Sequence, residues 1–143
     1  KEYQKIISGE GLDIKPGVVE LLEFAADKDY RIALATSSRR EHASTLLKEH
    51  GLWRYFHGAI FGDMVTSSKP SPEVYQKACL EIGVAPANAV ALEDAPSGIR
   101  SAVSAGMRAI MIPDLVEPDE EILNMVWHRF DTLFDVLKLL NEG

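Results

Sequence analysis

Cysteine is almost absent from this sequence, and long apolar runs are absent altogether. The single Cys79 excludes an internal disulfide, and its place in a predicted helix favours a core position over a role as a nucleophile. No apolar run approaches the ~20 residues that a membrane span needs, and the first residues do not resemble a signal peptide. We therefore expect a soluble, cytoplasmic protein.

Basic residues are in the minority, since 15 Lys and Arg stand against 22 Asp and Glu and give a net charge of −7. Nucleic-acid binding needs a basic face that meets the phosphates, so the charge argues against nucleic acid as a partner. A local site for a small phosphorylated ligand remains compatible with it. At 143 residues, 46% of them hydrophobic, the chain is long enough for one domain with a substantial core.

Short apolar runs alternate with helical patterns along the chain. Each run is uninterrupted, as in strands that are covered on both faces, and the order predicts an α/β fold, with a Rossmann-like parallel sheet as the middle of three layers. Strands are predicted over residues 31–36, 58–62, 89–92 and 108–112. Helices are predicted from Pro16, from a Ser38/Glu41 capping box to Gly51, from Pro72 to about Ile82, from Pro96 to Gly106, and over residues 119–126 and 132–140.

Polar residues follow three of these strands. Thr36 ends the first predicted strand, Lys69 lies in the loop after the second, and Glu93 and Asp94 end the third. In parallel sheets, ligands bind outside the carboxyl ends of the strands. The sequence therefore predicts one site at this edge of the sheet.

Two adjacent carboxylates where a buried strand becomes a helix suggest a metal site. Mg²⁺ prefers hard oxygen ligands and usually keeps waters and substrate phosphates as well. The alternative is that Asp94 caps the following helix. For an isolated Glu-Asp pair the cap is the better interpretation, and only the other motifs favour the metal.

The residues after the first strand favour anion binding. Thr36, Ser37 and Ser38 place hydroxyls and backbone N–H groups at a helix N-terminus, although the capping box also uses Ser38. Lys69, in a loop held by Pro70 and Pro72, could serve as a point charge for phosphate. Arg39 and Arg40 either reach a second anionic group or are surface charge.

These segments resemble the haloacid dehalogenase superfamily. The resemblance lies in Ala33-Leu34-Ala35-Thr36-Ser37-Ser38, in Gly62-Asp63 with Lys69-Pro70-Ser71-Pro72-Glu73, in Leu92-Glu93-Asp94-Ala95-Pro96-Ser97-Gly98-Ile99, and in the segment 102–107. It covers most of the chain from Pro16 to Pro113 and is nearest to the branch that contains β-phosphoglucomutase and small sugar-phosphate phosphatases.

The resemblance implies a role for each site residue. Thr36 would bind the transferring phosphoryl group, Lys69 would stabilise that group and orient the nucleophile, and Glu93 and Asp94 would hold Mg²⁺. The implied chemistry passes through an aspartyl-phosphate that water or a second hydroxyl then attacks. The implied substrate is a small phosphorylated metabolite such as a sugar phosphate.

The family's first motif, Asp-x-Asp followed by Gly and Thr or Ser at the end of a strand, is not in this sequence. The one Asp-x-Asp, at residues 27–29, precedes a strand and continues with Tyr30. By the resemblance, the missing strand belongs in the middle of the sheet. Residues 1–11 would be the remnant of a cap-domain helix and linker, and residues 12–143 the core domain.

A sheet without its middle strand exposes two unpaired edges. We therefore expect this chain alone to be poorly stable and inactive, and to pair with the missing segment or with another chain. Two hypotheses stand. The chain is the larger part of a phosphatase or phosphomutase, with phosphatase the more common activity; or it is a non-catalytic short form, a phosphate/metal-binding or partner-docking module. An Asp-x-Asp-Gly-Thr-like strand encoded just upstream of Lys1 would favour the enzyme.

Overall fold

The computed structural model describes residues 5–8, 15–114 and 117–142. The strands are β1 (Lys5–Ser8), β2 (Arg31–Ala35), β3 (Gly58–Ile60), β4 (Val90–Glu93), β5 (Arg108–Met111) and β6 (His128–Arg129). The helices are α1 (Val18–Asp27), α2 (Arg40–Glu49), α3 (Glu73–Glu81), α4 (Pro96–Ser104), α5 (Glu120–Met125) and α6 (Leu133–Glu142). The strands pair in parallel in the order β3-β2-β1-β4-β5-β6, which is the doubly wound order. The predicted α/β class is confirmed.

Helices cover both faces of the sheet because successive strand residues point to opposite sides. Ile32 and Leu34 of β2 pack into a core with residues of α1, α2 and α6. Ala33 and Ala35 pack into a second core with residues of α3, α4 and α5. Cys79 of α3 belongs to this second core, as predicted, and burial raises the pKa of its thiol to about 11.

The middle of the sheet departs from the sequence-based expectation. β1 lies between β2 and β4, with Ile7 opposite both Ala33 and Ala91. The predictions of a helix over these residues and of an empty middle position were therefore wrong. The physical reason is that two facing rows of unpaired backbone groups form a template for an extended, β-branched segment such as Ile6-Ile7. The rest of the predicted cap remnant and linker, residues 1–4 and 9–11, lies outside the described residues.

Tertiary hydrogen bonds move one helix start. α2 begins at Arg40, with Arg39 at the N-cap and no side-chain cap bond, so the predicted capping box is wrong. Ser38 is instead held in the loop, where its N–H donates to Thr36 Oγ1 at 3.0 Å and its carbonyl accepts from the Gly62 N–H at 2.8 Å.

The remaining elements follow the sequence pattern closely. Proline opens α4 as predicted, whereas Pro72 takes the cap position before α3 and leaves Ser71 in the loop. β6 was not predicted, because a two-residue strand carries too little pattern to recognise. Among the helices of the described ranges, none is long and apolar enough to cross a membrane.

Candidate active site

The carboxyl edge of the sheet brings Lys69 and Glu93 into direct contact. Glu93 is the last residue of β4, and Lys69 reaches it from the loop between β3 and α3. Lys69 Nζ lies 2.6 Å from Glu93 Oε2 and 3.4 Å from the carbonyl oxygen of Ala35, the residue before Thr36. The two side chains are only 6% and 1% exposed. The ends of β2 and β4 and the lysine loop therefore converge, as the order of the motifs predicts.

The Glu93 carboxylate is enclosed on all sides. The Tyr75 hydroxyl donates to Oε2, the same oxygen that Lys69 contacts. An added Cβ at Gly98 would lie 1.9 Å from Oε1, so the first turn of α4 packs against that oxygen through glycine alone. Burial raises the pKa of Glu93, while the Lys69 charge and the hydrogen bonds from Lys69 and Tyr75 act in the opposite direction. Lys69 and Tyr75 thus compensate a carboxylate that has no access to solvent.

Asp94 has a different environment from its neighbour. It is half-buried, and α4 takes Ala95 as its N-cap without any side-chain cap bond, so the capping alternative for Asp94 is not seen. Burial is the main cause that raises the pKa of Asp94; Lys15 is the strongest opposing charge, and Asp114 adds repulsion. Lys15 itself pairs with Asp114 at 3.5 Å. Asp94 is therefore a partly desolvated carboxylate at the mouth of the site.

The described side chains can supply only part of the coordination shell of a Mg²⁺ ion. Within the part of the chain that the structure describes, no three His, Cys, Asp or Glu side chains are grouped to hold a metal ion. Mg²⁺ commonly takes one or two protein carboxylates and completes its shell with waters and substrate phosphate oxygens. The desolvated Asp94 beside the Glu93 backbone is compatible with that arrangement.

The turn after β2 is tightly built. Thr36 is 4% exposed, its N–H donates to Ile60 O at 3.1 Å, and its Oγ1 accepts from the backbone of Ser38. An added Cβ at Gly62 would lie 2.0 Å from the carbonyl oxygen of Ser37, so the turns after β2 and β3 meet through glycine. Ser37 is exposed and Ser38 is half-buried.

Arg39 lies at the exposed end of this turn. Within the described residues its guanidinium makes no ion pair, and its backbone forms the N-cap of α2. Arg40 is also exposed, but its guanidinium lies over the Phe61 ring, 4.8 Å from the centroid. Arg39 and Arg40, which the sequence did not distinguish, therefore have different environments in the structure.

The loop that carries Lys69 is fixed from both ends. The Glu73 carboxylate accepts hydrogen bonds from the Thr66 and Ser67 N–H groups at 2.9 and 2.8 Å. Ser101 of α4 donates from Oγ to the Ser71 carbonyl at 2.5 Å. A loop held in this way presents Lys69 in one position.

Glu73 gives this loop a specific pH dependence. The hydrogen bonds from Thr66 and Ser67 are the main causes that lower the pKa of Glu73 from 4.5 to about 2. Because the pKa is lowered in the folded state, the contribution of Glu73 to stability is complete above about pH 4.5 and is lost as the pH falls toward 2. We expect a ¹³C-detected carboxyl titration to give a midpoint near 2 for Glu73.

The matched variant is Glu73→Gln, which keeps one of the two acceptor oxygens and removes the titration. Its stability, followed by urea unfolding between pH 3 and pH 6, should lose the wild type's decline at the acid end. A Glu73 midpoint near the ordinary carboxyl value, or the same acid decline in both proteins, would contradict this role.

Three contributors to the site were not predicted from the sequence. Tyr75 stands in an apolar helix stripe, where a tyrosine is typical of core packing. Lys15 and Asp114 each lie beside a helix or strand and belong to no recognisable sequence motif. The one available signal was position: Asp114 follows β5, and Lys15 shortly precedes α1, at the same edge of the sheet.

Comparison with known proteins shows the family of this chain. Residues 1–112 match the haloacid dehalogenase-like hydrolase family. A phosphorylated carbohydrates phosphatase of Thermotoga maritima is 39% identical over 109 residues, which cover 76% of this chain and 50% of that protein. The β-phosphoglucomutase of Bacillus subtilis is 33% identical over 111 residues, which cover 77% of this chain and 48% of the enzyme. The chain thus spans about half the length of the curated relatives it matches.

The fold agrees with the sequence match. The crystal structure of CbbY from Rhodobacter sphaeroides in complex with phosphate superposes with a TM-score of 0.78 at 33% identity, covering 85% of this chain and 55% of CbbY. The family match runs from the first residue through the end of β5, and so includes Thr36, Lys69, Glu93 and Asp94. The chain therefore belongs to the haloacid dehalogenase-like hydrolases.

Proposed function

We propose that this chain is the phosphate- and metal-binding part of a Mg²⁺-dependent phosphoryl-transfer enzyme, and that the longer protein hydrolyses a small phosphorylated metabolite such as a sugar phosphate. The observation that carries the proposal is the buried Lys69–Glu93 pair, which lies at the carboxyl edge of the sheet beside Thr36 and the desolvated Asp94. The named activities of the relatives, a carbohydrate phosphatase and a phosphoglucomutase, support the choice of substrate class.

The residues of this chain would act on the phosphoryl oxygens. Lys69 supplies a positive charge whose position the lysine loop and Glu93 fix. The turn after Thr36 supplies backbone N–H groups near the start of α2, where the helix dipole also favours an anion. Asp94 would hold Mg²⁺, which when bound neutralises charge on the transferring group, whereas the Glu93 carboxylate is occupied by Lys69 and Tyr75. Such fixed charges act without reorganisation during the reaction.

The covalent step needs a nucleophilic aspartate, and the Asp-x-Asp-Gly-Thr-like motif that supplies it by the family resemblance is not in this sequence. In the proposed reaction an aspartate oxygen forms a bond to phosphorus while the bond from phosphorus to the sugar oxygen breaks, and a general acid protonates that oxygen. Water then attacks the aspartyl-phosphate, which releases inorganic phosphate and restores the carboxylate. The family resemblance puts this aspartate at the end of the strand that occupies the middle of the sheet.

In this structure β1 occupies that middle position. Two strands cannot share it, so the proposal requires residues 5–8 to leave the sheet in the nucleophile-bearing form. That form is defined here as the product of a reading frame that encodes an Asp-x-Asp-Gly-Thr-like strand upstream of Lys1.

The experiment is to sequence the gene upstream of the Lys1 codon, express the nucleophile-bearing form, and assay phosphate release from a panel of sugar phosphates with Mg²⁺ and with EDTA. Mg²⁺-dependent release supports the proposal. Conversion of a sugar 1-phosphate into its 6-phosphate without net release favours the phosphomutase, which the similarity to β-phosphoglucomutase keeps as the second candidate. An upstream sequence without the motif, together with phosphate or Mg²⁺ binding by this chain, would favour the non-catalytic module.

Arg39 offers a test of substrate recognition. Because its guanidinium is exposed and makes no ion pair within the described residues, it is available for a second anionic or hydroxyl-rich part of the substrate, whereas Arg40 is stacked on Phe61. In the nucleophile-bearing form we expect Arg39→Ala and Arg40→Ala together to raise KM for a sugar phosphate by roughly tenfold, the loss of one charge-assisted hydrogen bond. The effect on a small aryl phosphate should be weaker.

The single variants separate the two residues. Arg39→Ala should account for most of the change in KM, while Arg40→Ala should alter mainly stability through the lost contact with Phe61. Equal effects on both substrates would argue that neither arginine contacts the leaving group.

A further inference from the structure

Tyr75 makes an unusual contact for a residue in a helix core. It lies in the first turn of α3, is fully buried, and belongs to the core on that face of the sheet. Its neighbours on the buried face of α3 are apolar: Val74, Ala78 and Cys79. Its hydroxyl nevertheless points to the carboxyl edge of the sheet and donates to Glu93 Oε2. A phenylalanine would fill nearly the same volume, so the hydroxyl contributes a directional hydrogen bond and not additional packing.

The ring and the hydroxyl of Tyr75 act on the same ion pair. Lys69 Nζ contacts Oε2 at 2.6 Å, the oxygen that also accepts from Tyr75. The same ammonium lies 5.3 Å from the centroid of the Tyr75 ring. Cation–π attraction and a shared acceptor therefore tie Lys69, Glu93 and Tyr75 into one unit.

The surroundings of the second Glu93 oxygen, Oε1, show why the hydrogen bond from Tyr75 fixes the orientation of the carboxylate. Oε1 packs against the first turn of α4, where an added Cβ at Gly98 would lie within 1.9 Å of it. Oε2 therefore faces Lys69 and Tyr75, and a rotation of the carboxylate by less than a half-turn would carry Oε2 away from both donors. Two donors on one oxygen hold the carboxylate in a single orientation.

We propose that Tyr75 is a positioning residue for phosphoryl transfer, a role that rests on the proposed function: its hydroxyl fixes the orientation of Glu93, and through Glu93 and its own ring it fixes the position of the Lys69 ammonium. The Lys69 ammonium is then held in one position relative to the phosphoryl group. The backbone that continues from Glu93 to Asp94 is held by the same contact. Without the hydroxyl, the lysine and the carboxylate stay paired but change orientation together.

The first test uses Tyr75→Phe, which removes the hydroxyl and keeps the ring. In the nucleophile-bearing form, kcat should fall by about 10- to 100-fold, the usual effect of removing a partner of a site carboxylate. KM for the sugar phosphate should change by less than about threefold, because uniform substrate binding is untouched. The control is Tyr55→Phe, whose hydroxyl contacts only Arg54 among the described residues and should leave kcat unchanged.

The second test needs no activity and uses the 143-residue chain. The side-chain ¹H–¹⁵N signal of the Lys69 ammonium, assigned through its bonded correlations to the Lys69 side-chain carbons, should be protected from exchange in the wild type. In Tyr75→Phe it should shift and exchange faster, although the ring that shields it remains. In the same variant, the affinity for Mn²⁺, used as a probe for the divalent site, should fall by about tenfold.

The outcomes separate the two proposals. A Tyr75→Phe protein with the wild-type kcat and an unchanged Lys69 signal would overturn the positioning role. If the nucleophile-bearing form transfers no phosphoryl group at all, the proposed function fails and the positioning role in transfer fails with it, while the Lys69 signal still reports whether the three residues form one unit. If Tyr75→Phe does not fold, the wild-type Tyr75 hydroxyl proton decides: a slowly exchanging resonance supports the role, and its absence from the spectrum overturns it.

Discussion

Asp94→Asn is expected to abolish Mg²⁺-dependent phosphoryl transfer in the nucleophile-bearing form and to leave the fold intact. The substitution is nearly isosteric and removes only the charge. Loss of a metal ligand withdraws several kcal/mol of charge stabilisation from the transition state, so kcat/KM should fall by at least about 10³-fold. Assays across a range of Mg²⁺ concentrations should show that added metal does not restore the rate.

The stability of the same variant provides the distinguishing measurement. Burial raises the pKa of Asp94, so the ionised carboxylate opposes folding at neutral pH. The ionised Asp94 carboxylate lowers the stability by its full amount when the pH is well above the raised pKa. This destabilisation disappears as the pH falls below the ordinary carboxyl pKa. The uncharged Asp94→Asn variant should therefore unfold at the same urea concentration as the wild type or at a higher one at pH 7. Loss of activity without loss of stability is typical of a functional carboxylate.

The matched control is Asp114→Asn. Asp114 lies near Asp94, but its side chain is 63% exposed and its described ion pair is the one with Lys15. It should leave the Mg²⁺ dependence nearly unchanged. In the 143-residue chain, Mg²⁺ should raise the unfolding temperature of the wild type and of Asp114→Asn, and not that of Asp94→Asn. An active Asp94→Asn protein, or one that still responds to Mg²⁺, would remove Asp94 from the metal site.

The position of the site could be predicted because strand ends are visible in the sequence. Short apolar runs stop at Thr36 and at Glu93, and a parallel sheet brings such ends to one edge. The loop that contains Lys69, Pro70 and Pro72 reaches the same edge, where Lys69 contacts Glu93. Local pattern and global topology agree here, so the convergence of these strand ends was predicted correctly without knowledge of any distance.

The errors occurred where tertiary contacts override local preference. Ser38 has the sequence of an N-cap, but its N–H and carbonyl are used by Thr36 and Gly62, so the N-cap lies one residue later, at Arg39. Residues 5–8 were predicted to end a helix, because a segment of four residues is too short for its hydrophobic pattern to distinguish a helix from a strand. The unpaired edges of β2 and β4 decide their conformation instead. Tyr75 was missed because a buried hydroxyl cannot be told from ordinary aromatic packing until its partner is known.

Lys69→Met is expected to be the most destabilising single substitution at the site. It removes the cationic partner of Glu93, whose side chain is 1% exposed. A buried charge that loses its partner costs about 3–5 kcal/mol, much more than the pair itself contributes. The control, Lys77→Met, breaks the partly exposed pair with Glu73, 3.0 Å apart, and should cost much less, because exposed ion pairs contribute little to stability. Urea unfolding of the 143-residue chain measures both, with trimethylamine N-oxide added if the variant is unfolded in buffer.

The dependence of this loss on pH and on a second substitution identifies its cause. Without Lys69, the pKa of the buried Glu93 rises further, so the variant is most stable when Glu93 is protonated and loses stability as the pH rises above the ordinary carboxyl value. The deficit relative to the wild type should therefore shrink as the pH falls from 7 toward 5. Adding Glu93→Gln removes the unpaired charge and should recover most of the lost stability at pH 7. A double variant no more stable than Lys69→Met, or a deficit independent of pH, would mean that lost packing of the lysine stem causes the destabilisation.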